Sequence, residues 1–475
     1  MSMPCRLRTF VVLVLVSLAG GAVAQPAADP KLLLRGVAAA PVTDAMLREP
    51  DPADWLMYSR TYDAQRFSPL AQINRDNVGS LQRAWSKPLP AGPLEIVPLV
   101  RRGVMYLTTP GGRDGGSRVV ALNAATGETL WEYVPPDLAS SRIKALAIYD
   151  DMIYYTAPAP NGEPNPVIAL DAATGAVRWQ TPVTIETHTA GAIVVEGNVI
   201  SGRACNTARS NCYIAAHDAL TGNETWRFYT SPGAGEPGDD SWGGKPVDER
   251  RAAAWGLPGS YDPVRRLLYW GIANPMPNTR ADRHGGNVDA ISRHAPADLY
   301  SNSTVALNPD TGELVWHYQH LPGDDWDMDI NEEKTLIRTV VAPDPAHVKW
   351  INPNVTPGIE RDVAITVGEG GGVWVNDRAT GEFLWAMPFP YDTPHFILSG
   401  IDVQTGIAHI NSALLLDEPG KTSLVCYWNA RSFWPTAYSP KLNSLYVPYI
   451  DHCLSMTRLS RGRGYARPVR GRRDR

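Results

Sequence analysis

The chain of 475 residues is 44% hydrophobic and 20% charged, with 41 glycines, 41 prolines and 15 tryptophans, a composition that suits many short strands and turns. Its formal net charge is −5, yet residues 458–475 hold eight arginines against one aspartate, a block of +7 that leaves −12 for everything before it. An acidic body resists the phosphates of nucleic acid, which excludes that partner, and suits the steering of a basic protein.

At the start of the chain, Arg6 and Arg8 precede an apolar run from Phe10 to Leu18 that ends in the small-residue site Ala22-Val23-Ala24. This is the pattern of a signal peptide, residues 1–24, cleaved near Gln25. The run is shorter than the roughly 20 residues a spanning helix needs, so no membrane span is expected. Cys5 leaves with the signal, which places Cys205, Cys212, Cys426 and Cys453 in an oxidising compartment. Local pairs 205–212 and 426–453 are the simplest disulfides; a metal cluster is the alternative, but no CxxC spacing occurs. No CxxCH occurs either, so no covalently attached haem c is encoded.

The body of the chain repeats one pattern: ALNAATGETLW ending at Trp131, ALDAATGAVRW at Trp179, AHDALTGNETW at Trp226, ALNPDTGELVW at Trp316 and VNDRATGEFLW at Trp385. In each copy Asp or Asn stands eight residues before Trp and Gly four before it. Asp or Asn opens a turn by bonding its own backbone, Gly closes it with positive φ, and strand alternation then resumes. Such hairpins bury both faces only by stacking radially, with a Trp filling the space between neighbouring sheets, so the fold class is an all-β propeller. An earlier segment ending at Trp85 is a candidate for the start of the ring.

The densest polar cluster follows the fourth copy, in PGDDWDMD, with Asp324, Asp325, Asp327 and Asp329. Read as a strand, it points Asp325, Asp327 and Asp329 to one side, where three carboxylates call for a hard cation such as Ca²⁺. The other reading is a solvated acidic turn.

Three stretches, ALNPDTGELVWHYQHLPGDDWDMD, the upstream YDPVRRLLYWGIANPMPNTR and the later NARSFWPTAYSPKLNSLYVPYIDHC, together resemble the methanol/ethanol family of pyrroloquinoline quinone (PQQ)-dependent dehydrogenases, from about Asp54 to Met456. The resemblance implies an eight-bladed quinoprotein propeller over residues 25–456, incomplete because its last blades are missing. It implies periplasmic oxidation of an alcohol to an aldehyde, with electrons leaving to a separate soluble cytochrome c. Asp327 matches the carboxylate that takes the alcohol proton, and Asn274, Asp327 and Asp329 match metal ligands, Asp329 being the extra carboxylate of lanthanide-using relatives. Thr207 stands where relatives carry a metal-binding Glu, so Ca²⁺ and a lanthanide both stay open. Glu95, Lys144, Thr189 and Trp255 match cofactor contacts, Trp255 as the indole on which the quinone stacks. Glu369 stands where relatives have Lys or Arg, a departure that sets a carboxylate near the quinone oxygens, and no adjacent cysteines stand near Ser140.

Residues 457–475 break every earlier pattern and are read as an Arg-rich disordered tail, from a frameshift or truncation or else a polyanion-binding segment. Two rivals to the dehydrogenase are a non-catalytic propeller scaffold of the outer-membrane assembly type and a dead remnant of the enzyme. The scaffold has no use for PGDDWDMD, and its lipoprotein form needs Cys where Gln25 stands.

Overall fold

The computed structural model describes residues 29–92, 94–110, 117–135, 143–159 and 163–459. The proposed signal peptide, the surroundings of Ser140 and all but the first residues of the basic tail lie outside the described residues. Five consecutive antiparallel sheets span residues 99–133, 147–184, 192–229, 260–319 and 335–387, each meandering in chain order through four strands. The fifth sheet gains a short extra strand, Trp350–Ile351, on its outer edge. In the first four sheets the fourth strand carries most of the exposed positions while the first three are largely buried, as expected of blades that run outward from a common axis. Beyond the fifth sheet the described residues form two-stranded pairs: Leu398–Ile401 with Ala408–Ile410, Thr422–Cys426 with Cys453–Thr457, and Ala437–Ser439 with Ser444–Tyr446.

The repeated motif builds the ring in a specific way. Asn123, Asp171, Asp218, Asn308 and Asp377 each accept a bond from the backbone N–H two residues on, at 2.9–3.1 Å. The glycine that follows has φ between +72° and +76° in every copy. It also lies against the tryptophan of the preceding sheet. Trp85 packs on Gly127, Trp131 on Gly175, Trp179 on Gly222, Trp226 on Gly312 and Trp316 on Gly381, so that a β-carbon at Gly175 would stand 2.6 Å from the ring. Each of these indoles donates its N–H to the carbonyl of the residue after the turn Asp or Asn, at 2.8–3.3 Å. Trp131, Trp179, Trp226 and Trp316 thus sit between neighbouring sheets, as the repeat predicts, whereas Trp385 does not take that place, because the next turn glycine, Gly406, lies against Phe383 and Tyr318. Both disulfides are formed, with Cα–Cα separations of 4.9 Å for Cys205–Cys212 and 4.0 Å for Cys426–Cys453.

In an antiparallel meander the segment entering the first strand and the connection from second to third strand lie at the same end of the sheet. Glu95, Lys144, Thr189, Trp255 and Asp329 all stand in entering segments, three to six residues before a first strand. Asn274 and Glu369 stand on second-to-third connections. The topology therefore delivers all seven to one end of the ring.

Candidate functional site

A cavity of about 620 Å³ opens at that end, within the size range of small-molecule sites. Its walls include Glu95, Lys144, Thr189, Trp255, Asn274, Asp327, Asp329 and Glu369.

One pole is acidic. Asn274 joins its two carboxylates, the backbone N–H donating to Asp329 Oδ1 at 3.0 Å and Nδ2 to Asp327 Oδ1 at 2.8 Å, with Asn278 Oδ1 also accepting from Nδ2 at 3.1 Å. Burial, together with the Asp327 charge beside it, pushes Asp329 up to about 8 against bonds from the Asn274 N–H and the Trp255 indole. Burial raises Asp327 as well, against hydrogen bonds from Asn278 and Asn274. Two buried carboxylates held this close favour a cation between them. Among the described residues no three His, Cys, Asp or Glu side chains gather as a metal site, so a cation here would rest on two carboxylates and an amide, a donor set of hard oxygens. Asp327 itself has φ +64°, a conformation that is rare outside glycine and that clusters at functional sites.

The segment around it is a turn, which corrects the strand reading of PGDDWDMD. Asp325 faces away, accepting from the backbone of Arg280 at 2.6 Å and of Leu416 at 2.5 Å. Asp324 caps the turn, accepting from Trp326 and Met328 at 2.9 and 2.7 Å. Only Asp327 and Asp329 reach the cavity, because backbone N–H groups left open by a turn recruit the other two.

Beside the carboxylates the walls offer a cation and an aromatic face. The Lys144 ammonium pairs with Glu95 at 3.2 Å and lies 4.6 Å from the centre of the Trp255 ring and 5.7 Å from that of Phe433. Thr189 Oγ1 donates to the Trp255 carbonyl at 3.3 Å. Glu369, beside Asp329, receives the Asp329 backbone N–H on Oε2 at 3.2 Å and donates its own N–H to the Asp329 carbonyl at 2.9 Å. Burial, then Asp329, Glu332 and Asp327, push its carboxyl well above the usual range, toward the neutral form.

Thr207 does not join the cluster. It is exposed, and its hydroxyl and backbone N–H both donate to Glu186 Oε1 at 2.8 Å, so a carboxylate from the preceding connection satisfies this loop. One wall was missed from the sequence: Trp428, Asn429, Ser432 and Phe433, on a loop where Tyr427 and Asn429 both have positive φ. The only signal for it was the NARSFW resemblance.

The model of the PQQ-dependent glucose/ethanol/alcohol dehydrogenase β-propeller domain matches residues 55–148 and 181–388. The quinohemoprotein alcohol dehydrogenase ADH-IIG of Pseudomonas putida is 32% identical over 470 residues, covering 93% of this chain and 59% of its own length. The dehydrogenase subunit of a quinone-dependent alcohol dehydrogenase from Gluconobacter oxydans is 30% identical over 428 residues, covering 84% and 52%. The chain thus spans between half and three-fifths of the length of these relatives. The solved structure of ADHIIG from P. putida HK5 superimposes with a TM-score of 0.71 at 29% identity, over 90% of this chain and 61% of that one. A europium-containing methanol dehydrogenase, 24% identical over 90% of this chain and 74% of that one, shares the fold with a TM-score of 0.72.

Proposed function

The chain belongs to the PQQ-dependent glucose/ethanol/alcohol dehydrogenase family through its β-propeller domain, and on that premise we propose that it oxidises an alcohol to an aldehyde in the periplasm, passing electrons to a separate soluble cytochrome c. The observation that carries the reading is the bonding of Asn274 to both Asp327 and Asp329 inside a cavity that Trp255 and Lys144 also border.

The residues fit the cofactors by kind. Asn274, Asp327 and Asp329 would hold Ca²⁺ or a lanthanide ion, Trp255 gives a flat face to a quinone ring, and Lys144 and Thr189 suit its carboxylates. When bound, the quinone supplies the acceptor of a hydride equivalent and the cation supplies Lewis acidity. Asp327 takes the proton of the substrate hydroxyl, as the general base whose carboxylate faces the cavity. Asn274 and Asn278 position it through their hydrogen bonds to its carboxylate. A second reading, a propeller that binds the cofactor without turnover, draws on Thr207 and Glu369, which leave the site one carboxylate short at one position and acidic at another.

Quenching of tryptophan fluorescence by PQQ, followed by dye-linked oxidation of short alcohols with Ca²⁺ or a light lanthanide, tests both. Asp327→Ala is expected to keep the thermal midpoint and PQQ binding while abolishing oxidation. Oxidation that survives Asp327→Ala would reject the assigned base. PQQ binding with no oxidation by the unaltered chain would favour the second reading.

A further inference from the structure

His294 and His409 stand opposite each other on the surface, away from the cavity. His294 lies in the long connection inside the fourth sheet, His409 in the hairpin strand Ala408–Ile410. The two backbones run antiparallel, with Ala295 N–H donating to the Ala408 carbonyl at 3.0 Å and Ile410 N–H to the Arg293 carbonyl at 2.9 Å. These bonds flank the histidines and make them a non-hydrogen-bonded pair, the position at which cross-strand side chains come closest and share one face. Their ring centroids are 5.6 Å apart with planes at 53°.

Two details point to a ligand. His294 Nδ1 lies 3.0 Å from the Ala295 carbonyl oxygen; a carbonyl only accepts, so Nδ1 carries the proton and Nε2 presents the lone pair. Metal-binding histidines are commonly fixed by this kind of bond, in which the other ring nitrogen donates to a backbone carbonyl. The spacing agrees. With bonds of about 2.1 Å and a nitrogen about 1.2 Å from its ring centre, each centroid stands about 3.2 Å from a shared ion, so centroids 5.6 Å apart subtend about 120° at it, near a tetrahedral opening.

We infer that His294 and His409 form a two-histidine chelate for a borderline divalent transition-metal ion such as Zn²⁺, Ni²⁺ or Cu²⁺. Imidazole nitrogens select these ions over Ca²⁺ and lanthanides, which prefer oxygen, so this site is chemically distinct from the acidic pole of the cavity. With two protein ligands its other positions belong to water or to a group brought by a partner. Bound metal would staple the fourth-sheet connection to the 398–410 hairpin.

The test uses the full chain without a polyhistidine tag, freed of metal by a chelator. Calorimetric titration with Zn²⁺ is expected to show one stoichiometric event that Ca²⁺ or La³⁺ does not block. His294→Ala and His409→Ala, both exposed and so expected to keep the thermal midpoint, should each weaken it at least tenfold. Electron spin-echo spectroscopy of one equivalent of Cu²⁺ should count two imidazoles in the unaltered chain and one in each variant. Equal affinity in either variant, or a copper spectrum with fewer than two imidazoles, would overturn the assignment and leave a cross-strand packing pair.

Discussion

Asn274 holds the site together because one residue serves two carboxylates from different atoms, its backbone N–H on Asp329 and its amide on Asp327. Removing the side chain takes away the bond that orients Asp327 and one of the three oxygens that would meet a cation. Asn274→Ala is therefore expected to weaken cation binding by about 10- to 100-fold, the usual range for a lost ligand or orienting partner. Terbium luminescence excited through the neighbouring tryptophans reads this without turnover, and an unchanged affinity would move the cation elsewhere. Asp327 and Asp329 were legible from the density of carboxylates in PGDDWDMD, the other residues of the site only through family resemblance. The sequence spacing of Glu95, Lys144, Thr189, Trp255 and Asn274 carries no sign that they meet, whereas the meander topology, once known, brings them to one end. Asp325 was misread, and Thr207 stands apart from the cluster, for one physical reason: a local backbone or carboxylate partner, Arg280 and Leu416 for the first and Glu186 for the second, out-competes the cavity, and such partners cannot be seen along the chain.

At the scale of the blade, the repeat was legible because two demands coincide on one glycine. Its φ near +74° and the indole lying against it exclude a side chain for separate reasons. Gly175→Ala adds a methyl group 2.6 Å from the Trp131 ring in a left-handed conformation, so a loss of about 2–4 kcal/mol is expected. Urea unfolding checks it, and a change below about 0.5 kcal/mol, the range of neutral surface changes, would mean that the sheets do not depend on this contact. A sixth copy of the turn went unrecognised in the sequence. Asp402 accepts from the N–H groups of Gln404 and Thr405 and Gly406 has φ +78°, but Ile410 occupies the Trp position. Gly406 rests instead on Tyr318 and Phe383. A search anchored on Trp misses a copy whose turn survives while its inter-sheet ring is replaced.

Across the whole molecule, buried charges tie distant segments together and set how stability follows pH. Glu333 binds Arg66 at 3.0 Å and Arg431 at 2.6 Å, joining the segment before the first sheet to the loop that walls the cavity, and these cations with Thr436 hold its carboxyl at about 2 despite burial. A depressed carboxyl stabilises above its unfolded value and loses that contribution only as pH falls toward 2. His188 and His320 are held well below 6.5 by burial, and His217 at about 4. Their contribution is complete above pH 6.5 and is lost as pH falls below it. Asp324 and Glu332 run the other way: burial raises them to about 7 and about 8, so the folded chain binds more protons than the unfolded one and stability falls as pH rises through those values. Above pH 6.5 the histidines no longer offset this fall, and Lys334, lowered to about 8 by burial, begins to add stability only beyond that value. With Asp329 and Glu369 raised in the same way, the metal-free chain should thus lose stability from pH 6.5 toward pH 8, by on the order of 1 kcal/mol per pH unit for each titrating group. Thermal midpoints measured from pH 5 to pH 8 read the curve, and Glu332→Gln, which cannot ionise, should flatten its alkaline side. A midpoint that rises from pH 6.5 to 8, or an unchanged slope in Glu332→Gln, would show that these carboxyls are already ionised in the folded chain, paired more closely with Arg431 and Lys334 than their burial implies.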